Sequence, residues 1–185
     1  MIYSIMITAM IEKYFKHRQV PGLKEVFEII PSVFSDKRGL IYSDYLEEYM
    51  EEEFGLCFKH SKIVVNESGV LRGFHGDNKT WKLVSCVYGK VHQVVVNPAA
   101  RINNLMPKFS TDLDFTQPKM ILIPPGFGNA FLSHEGISVY TYKLAYTGNY
   151  NDAENQFTIP WNSSEINHEW PLINPILSNR DAENN

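Results

Sequence analysis

The chain has 185 residues, 44% of them hydrophobic and 21% charged, values that suit one globular domain with core enough to need no staple. Its formal net charge of −4, with no long basic run, leaves no electrostatic footprint for nucleic acid. Ten Tyr and eleven Phe tilt the composition towards strands.

In chain order, MIYSIMITAMIEKYF opens with an apolar stretch too short to span a membrane and without the basic flank of a signal peptide. The expectation is a soluble, cytoplasmic protein with no membrane contact. Residues 5–18 read as a short helix ended by Pro21-Gly22, and LKEVFEIIPSVFSD as strands broken at Pro31. SDKRG (35–39) is a turn. SDYLEEYMEEEF (43–54) is the clearest helix, with Ser43 as N-cap, Leu46, Tyr49, Met50 and Phe54 at helical spacing, and Gly55 as the stop. Its glutamates read as a solvated face.

From 57 onward the pattern is strand after strand. WKLVSCVYGKVHQVVVNP (81–98) reads as a hairpin turning at Gly89-Lys90, KMILIP (119–124) as a buried strand, and ISVYTYKLAY (137–146) as an alternating one. FTIPW (157–161) is another short strand, PPGFGNAF (124–131) a tight connection, and NRDAENN a frayed polar tail. Cys57 and Cys86 both sit in apolar stretches and read as buried, reduced thiols. The fold class expected is all-β, a sandwich or jelly-roll barrel with a few short peripheral helices, of a kind that binds small ligands in its mouth.

LRGFHGD (71–77) departs from this pattern, because a strand interior avoids glycine and charge. His75 has no second histidine two residues on, and His92 and His134 lie on other segments, so a three-ligand metal site is hard to assemble locally. His17, His60 and His168 read by default as surface or hydrogen-bonded residues. Arg72 and Lys82 flank His75 and can both face a barrel interior, where two cations are costly unless an anion meets them. A cationic neighbour favours the neutral imidazole that a base requires. Tyr142 shares a strand face with Tyr140 and reads as core aromatic or proton donor. The residues alone therefore give a β-barrel cavity holding His, Lys, Arg and Tyr.

GVLRGFH, WKLVSCVYGKVHQVVVNP, ILIPPGFGNAF, YTYK, Trp161 with EWP, and LSNRD occur in one order. Together, over residues 25–182, they resemble the nucleotide-sugar 3,5-epimerases. The resemblance implies a cupin-type jelly roll, a homodimer exchanging N-terminal strands, no metal and no organic cofactor, and a nucleotide-diphosphate sugar as substrate. It makes residues 1–24 an extension of a single epimerase domain. It makes His75 the base beside the ketone, Lys82 the stabiliser of the enolate oxygen, and Tyr142 the acid on the opposite face. Asp181 would orient the histidine, and Arg38 and Arg72 would contact the pyrophosphate.

The sequence departs from the family pattern around the substrate. Members commonly read L-R-G-L-H-x-Q where Gly76 and Asp77 follow the histidine here. Asn129 replaces a histidine in the G-F-x-H-x-F turn, and KHSKIVV, with His60, replaces Q-x-N-x-S. Asp77, Asn129 and His60 join the substrate-contacting candidates. L-R-G-(I/F)-H-G-D with K-T-W-K-L-V resembles members acting on GDP-4-keto-6-deoxy-heptoses in capsule synthesis, so that substrate is expected, with a dTDP-4-keto-6-deoxy sugar as the alternative. A metal-dependent cupin oxygenase or isomerase and a non-catalytic sugar-nucleotide binding module stand as further alternatives.

Overall fold

Runs of Val, Ile, Tyr and Phe at period two give this chain two faces per strand, and two antiparallel sheets bury one face of each against the other. The computed structural model describes residues 14–150 and 153–183. Its strands are β1 (Phe15–Val20), β2 (Leu23–Pro31), β3 (Phe34–Asp36), β4 (Gly39–Ile41), β5 (His60–Asn66), β6 (Leu71–Gly76) and β7 (Trp81–Tyr88). They continue with β8 (Lys90–Val96), β9 (Lys108–Asp114), β10 (Met120–Ile123), β11 (Gly128–Ser133), β12 (Ser138–Ala145) and β13 (Phe157–Thr158). Among the described residues there are also two short helices, α1 (Glu47–Phe54) and α2 (Asn179–Glu183), and a 3-10 turn at Ala153–Asn155.

One sheet runs β1-β2-β10-β7-β12-β5 and the other β13-β6-β11-β8-β9, while β3 and β4 form a separate hairpin. This is the jelly roll that the sequence predicts. The core between the sheets holds Val84, Cys86, Val91, Val95, Ile121, Phe131 and Tyr140. Alternation on β7 sends Lys82 and Val84 inward and Leu83 outward, where Leu83 meets Tyr49 and Met50 of α1 over Ile29 and Met120. The outer face of the second sheet is closed by the C-terminal segment, through Ile166 and Trp170 against Phe74 and Val94.

Several local expectations are corrected. Residues 15–18 lie in β1 and Tyr14 in a turn before it, not in a helix, and residues 5–13 of that predicted helix lie outside the described residues. β1 and β2 are full members of the sheet, so the expected core start at 25 falls inside β2. The acidic helix begins at Glu47 rather than 43, with extended Leu46 as its cap residue and no side-chain cap; Gly55 ends it in the left-handed conformation. β7 and β8 are not a hairpin: β7 pairs with β10 and β12, and β8 with β11 and β9, so the chain crosses between sheets at Gly89. Gly89 has φ +71°, and a Cβ there would lie 2.4 Å from the Ile137 carbonyl oxygen. Strong apolar alternation is shared by hairpins and by strands that change sheets, which is why the pattern misled. Cys57 is exposed; only Cys86 is buried, and burial pushes its thiol up to about 11. β13 is only two residues long. The tail is ordered as far as α2, because Ile176 bridges Val70 and the Ser178 carbonyl accepts from Asp181 and Ala182.

The composition of LRGFHGD has a geometric cause. Arg72 and His75 are three residues apart and would face opposite sides of a regular strand. Opposite them, Phe131 and Asn129 are two apart, so β6 carries one extra residue, a bulge that turns both Arg72 and His75 inward. Gly73 sits in that bulge with φ +127°, and a Cβ would lie 2.5 Å from the Ala130 Cβ and 2.6 Å from the Asn129 carbonyl oxygen. Gly73→Ala therefore combines backbone strain with overpacking and is expected to cost about 2–4 kcal/mol of stability, read by denaturant unfolding. An unchanged midpoint would refute this account of the bulge.

Candidate active site

A cavity of about 300 Å³ opens between the sheets, lined by Arg72, His75, Lys82, Asn129 and Tyr142 together with Lys62, Tyr150 and Arg180. His75 comes from the five-stranded sheet, whereas Lys82 and Tyr142 come from the six-stranded one. The imidazole and the phenol thus reach the same space from opposite walls.

His75 Nε2 lies 2.6 Å from Asp181 Oδ1, and Asp181 is only 2% exposed. Burial pushes the Asp181 carboxyl up, but the hydrogen bond and charge of His75, the Ser178 hydroxyl and the Gly73 N–H together outweigh it and hold it below the usual value. An ionised carboxylate only accepts, so Nε2 carries a hydrogen and the neutral ring keeps its lone pair on Nδ1. The bulge serves twice here, since it aims His75 and its Gly73 amide donates to Asp181.

Lys82 is 6% exposed, and its Nζ donates to the His75 carbonyl oxygen at 3.0 Å. Burial lowers its pKa to about 8, Asp77 pulling it back up and Arg180 adding a smaller downward push. An ammonium so weakly compensated is available to negative charge that develops nearby. Burial also raises the Tyr142 phenol well above its ordinary value, with Arg72 partly opposing, so the group is protonated at every working pH. Lys62, Arg72, Lys82 and Arg180 on one wall-to-wall surface make the cavity a receptor for an anion.

The remaining expected site residues are placed differently. Arg38 lies at the tip of the β3–β4 hairpin, outside the cavity, held by Asp36. Asp77 is buried beneath the site, where its Oδ1 accepts from the N–H groups of Lys79 and Thr80 and fixes the turn into β7. Its charge bears on the cavity through Lys82. His60 stands behind the wall, edge-on to Tyr150 at 4.9 Å between ring centroids. Reading the sequence missed Lys62, Tyr150, Gln156 and Arg180 as lining residues. Alternation in HSKIVV places Lys62 on the face of Val64, and Arg180 adjoins Asp181 in LSNRD, so both left a signal; Tyr150 and Gln156 sit in loops and left none.

Three side chains that the sequence left scattered do meet elsewhere: ligand atoms of His92, Asp112 and His134 lie within 4.8 Å of one another. The cluster already holds its own cation. Lys90 Nζ lies 2.7 Å from Asp112 Oδ2, and both His92 ring nitrogens are engaged, by Asp112 at 2.9 Å and His168 at 3.1 Å.

An antiparallel jelly roll thus gathers a His–Asp pair, a buried ammonium and a phenol around one cationic hollow, a set of groups able to move protons beside a bound anion. The family model described as dTDP-4-dehydrorhamnose 3,5-epimerase matches residues 21–185, and the chain belongs to that family. It is a nucleotide-sugar epimerase. The dTDP-4-dehydrorhamnose 3,5-epimerase of Shigella flexneri is 32% identical over 84% of this chain and 86% of its own, and that of Salmonella typhimurium 30% identical over 87% and 90%. Among solved structures, the dTDP-6-deoxy-D-glucose-3,5-epimerase of Legionella pneumophila, in complex with dTDP-4-keto-L-rhamnose, superposes with a TM-score of 0.81 at 25% identity, covering 92% of each chain. The cupin-type jelly roll implied by the sequence resemblance is thus the fold of the chain.

Proposed function

We propose that the protein inverts C3 and C5 of a dTDP-linked 4-keto-6-deoxyhexose. The observation that carries this reading is the Asp181-held His75 on one sheet facing Lys82 and Tyr142 on the other, across a single cavity. A ketone at C4 acidifies the hydrogens on both neighbouring carbons. His75 Nδ1 takes one such proton, Lys82 stabilises the enolate oxygen, and Tyr142 delivers its own proton to the opposite face of the carbon. Solvent then restores both groups. The step is redox-neutral and calls for no electron acceptor. Arg72, Lys62 and Arg180 supply the positive charge that suits a diphosphate.

The relatives favour the thymidine-linked substrate, since those described above are named for dTDP sugars. The GDP-heptose reading, built on Gly76-Asp77 and the Lys79–Trp81 run, draws no support from them, and Asp77 is turned into the fold instead of the cavity. Incubation of dTDP- and GDP-linked 4-keto-6-deoxy sugars in deuterated water decides. Deuterium entering C3 and C5 of the dTDP sugar is expected; label confined to the GDP sugar, or absent from both, would reject the proposal.

We further propose a cytoplasmic homodimer. No helix among the described residues is long and apolar enough to cross a membrane. Phe34 and Ile41 on the β3–β4 hairpin are 61% and 69% exposed, an apolar arm that a second copy would cover. Arg38 rides on that arm, and its contact with pyrophosphate would then be made in a partner's cavity.

A further inference from the structure

Beneath Tyr142 lies a line of buried polar side chains that the proton transfer described above does not use. Tyr140 and Gln93 are completely buried, and Asn129 is 4% exposed. Phe131 stacks on the Tyr140 ring at 4.0 Å, and with the residue fully buried its hydroxyl is closed off from solvent. Five contacts within hydrogen-bonding distance leave this line little freedom. Gln93 Nε2 reaches the carbonyl oxygens of Val94 and Ala130, both at 3.1 Å. Backbone carbonyls only accept, so the amide nitrogen of Gln93 must face them and its Oε1 must face Tyr140. Tyr140 is therefore the donor, at 2.5 Å.

The same NH₂ group, whose two hydrogens are shared among three acceptors, also meets Asn129 at 2.6 Å; two NH₂ groups cannot face each other, so Oδ1 of Asn129 lies on that side and its NH₂ on the other. Asn129 Nδ2 then points at the Tyr142 hydroxyl, 3.5 Å away. Two main-chain carbonyls thereby decide, through two amides, which partner donates at Tyr142. The phenol oxygen receives a hydrogen from within the protein, and its own proton is left to turn towards the cavity. When that proton leaves, the Asn129 donor is already aimed at the phenolate.

We propose that Gln93 is a positioning residue for proton delivery: it fixes the Asn129 amide so that Tyr142 donates into the cavity rather than into the protein. This rests on the reading of Tyr142 as the acid, and the test separates the two. A dTDP-4-keto-6-deoxyhexose is incubated in deuterated water, and two rates are followed by proton NMR. Deuterium uptake with retained configuration reports the return of a proton on the His75 side. Uptake with inversion reports delivery by Tyr142.

In Gln93→Leu, inversion is expected to fall about tenfold while uptake with retention changes by less than about threefold. Asn129→Asp is the companion variant, because it keeps the size of the side chain and reverses the bond. Gln93 donates to one carboxylate oxygen, the other captures the Tyr142 proton, and the ratio of inversion to uptake with retention again falls. It decides alone should Gln93→Leu fail to fold. A general loosening of the core would lower both rates together, and that result, or a wild-type ratio in the folded variants, overturns the proposal. Tyr142→Phe is the control for the underlying reading. If it leaves the ratio untouched, the acid assignment fails, whatever Gln93 does.

Discussion

His75→Asn is expected to stop both reactions of the substrate, inversion and uptake of solvent deuterium, by about 10²–10⁴-fold. Asn keeps a polar side chain in the bulge yet offers no lone pair of suitable basicity, so the loss falls on the chemical step and binding of the dTDP moiety persists. Asp181→Asn should act more mildly and differently. It leaves the imidazole in place but removes the carboxylate that fixes the Nε2–H tautomer at 2.6 Å. An amide can present either its oxygen or its NH₂ to Nε2, so only the fraction of enzyme in the second arrangement carries its hydrogen on Nδ1 and cannot act as the base. The matched pair of variants distinguishes loss of the base from loss of its orientation. Residual uptake in His75→Asn equal to wild type would remove the histidine from the mechanism altogether. Equal binding of dTDP by both variants, measured by calorimetry, is the internal control for an intact cavity.

What the sequence revealed and what it concealed follow from the range of each physical signal. Period-two alternation is local, so β5, β7, β8, β10 and β12 were legible as strands. Which strands pair is not local, and the apparent hairpin at Gly89 proved to be a crossing between sheets. Lys82 and Tyr142 were recoverable because parity on a regular strand assigns a face. Arg72 and His75 share a face only through a bulge, and a bulge shows in one strand's sequence merely as misplaced glycines. Asp181 lies 106 residues from His75 and enters the site only because Ile176 is pinned beside Val70. No periodicity announces such a contact; the LSNRD resemblance supplied it. Arg38 shows the opposite limit: it lies outside this chain's cavity, and a motif match carries no information about which cavity an arm serves.

Lys82→Met should give the second large effect, about 10²–10³-fold in kcat, without loss of stability. The side chain is 6% exposed, and burial has already drawn its pKa down to about 8. An apolar chain of similar length removes that desolvation cost, so the folded state is expected to be as stable as wild type or more so. The wild-type enzyme carries a matching signature in pH. In the free enzyme the ammonium is lost as pH rises through about 8, so kcat/KM falls above that value. A bound diphosphate favours the charged lysine, which moves the corresponding limb of kcat to higher pH. Stability runs the other way. An unfolded lysine keeps its proton to about pH 10.4, so above pH 8 the unfolded state holds more protons and this group's contribution to stability rises with pH. Activity falling while the unfolding midpoint holds or climbs between pH 8 and 10 therefore assigns the alkaline limb to Lys82, and Lys82→Met should lack that limb. Activity and stability declining in step, or a limb that survives the substitution, would assign it to alkaline unfolding or to another group.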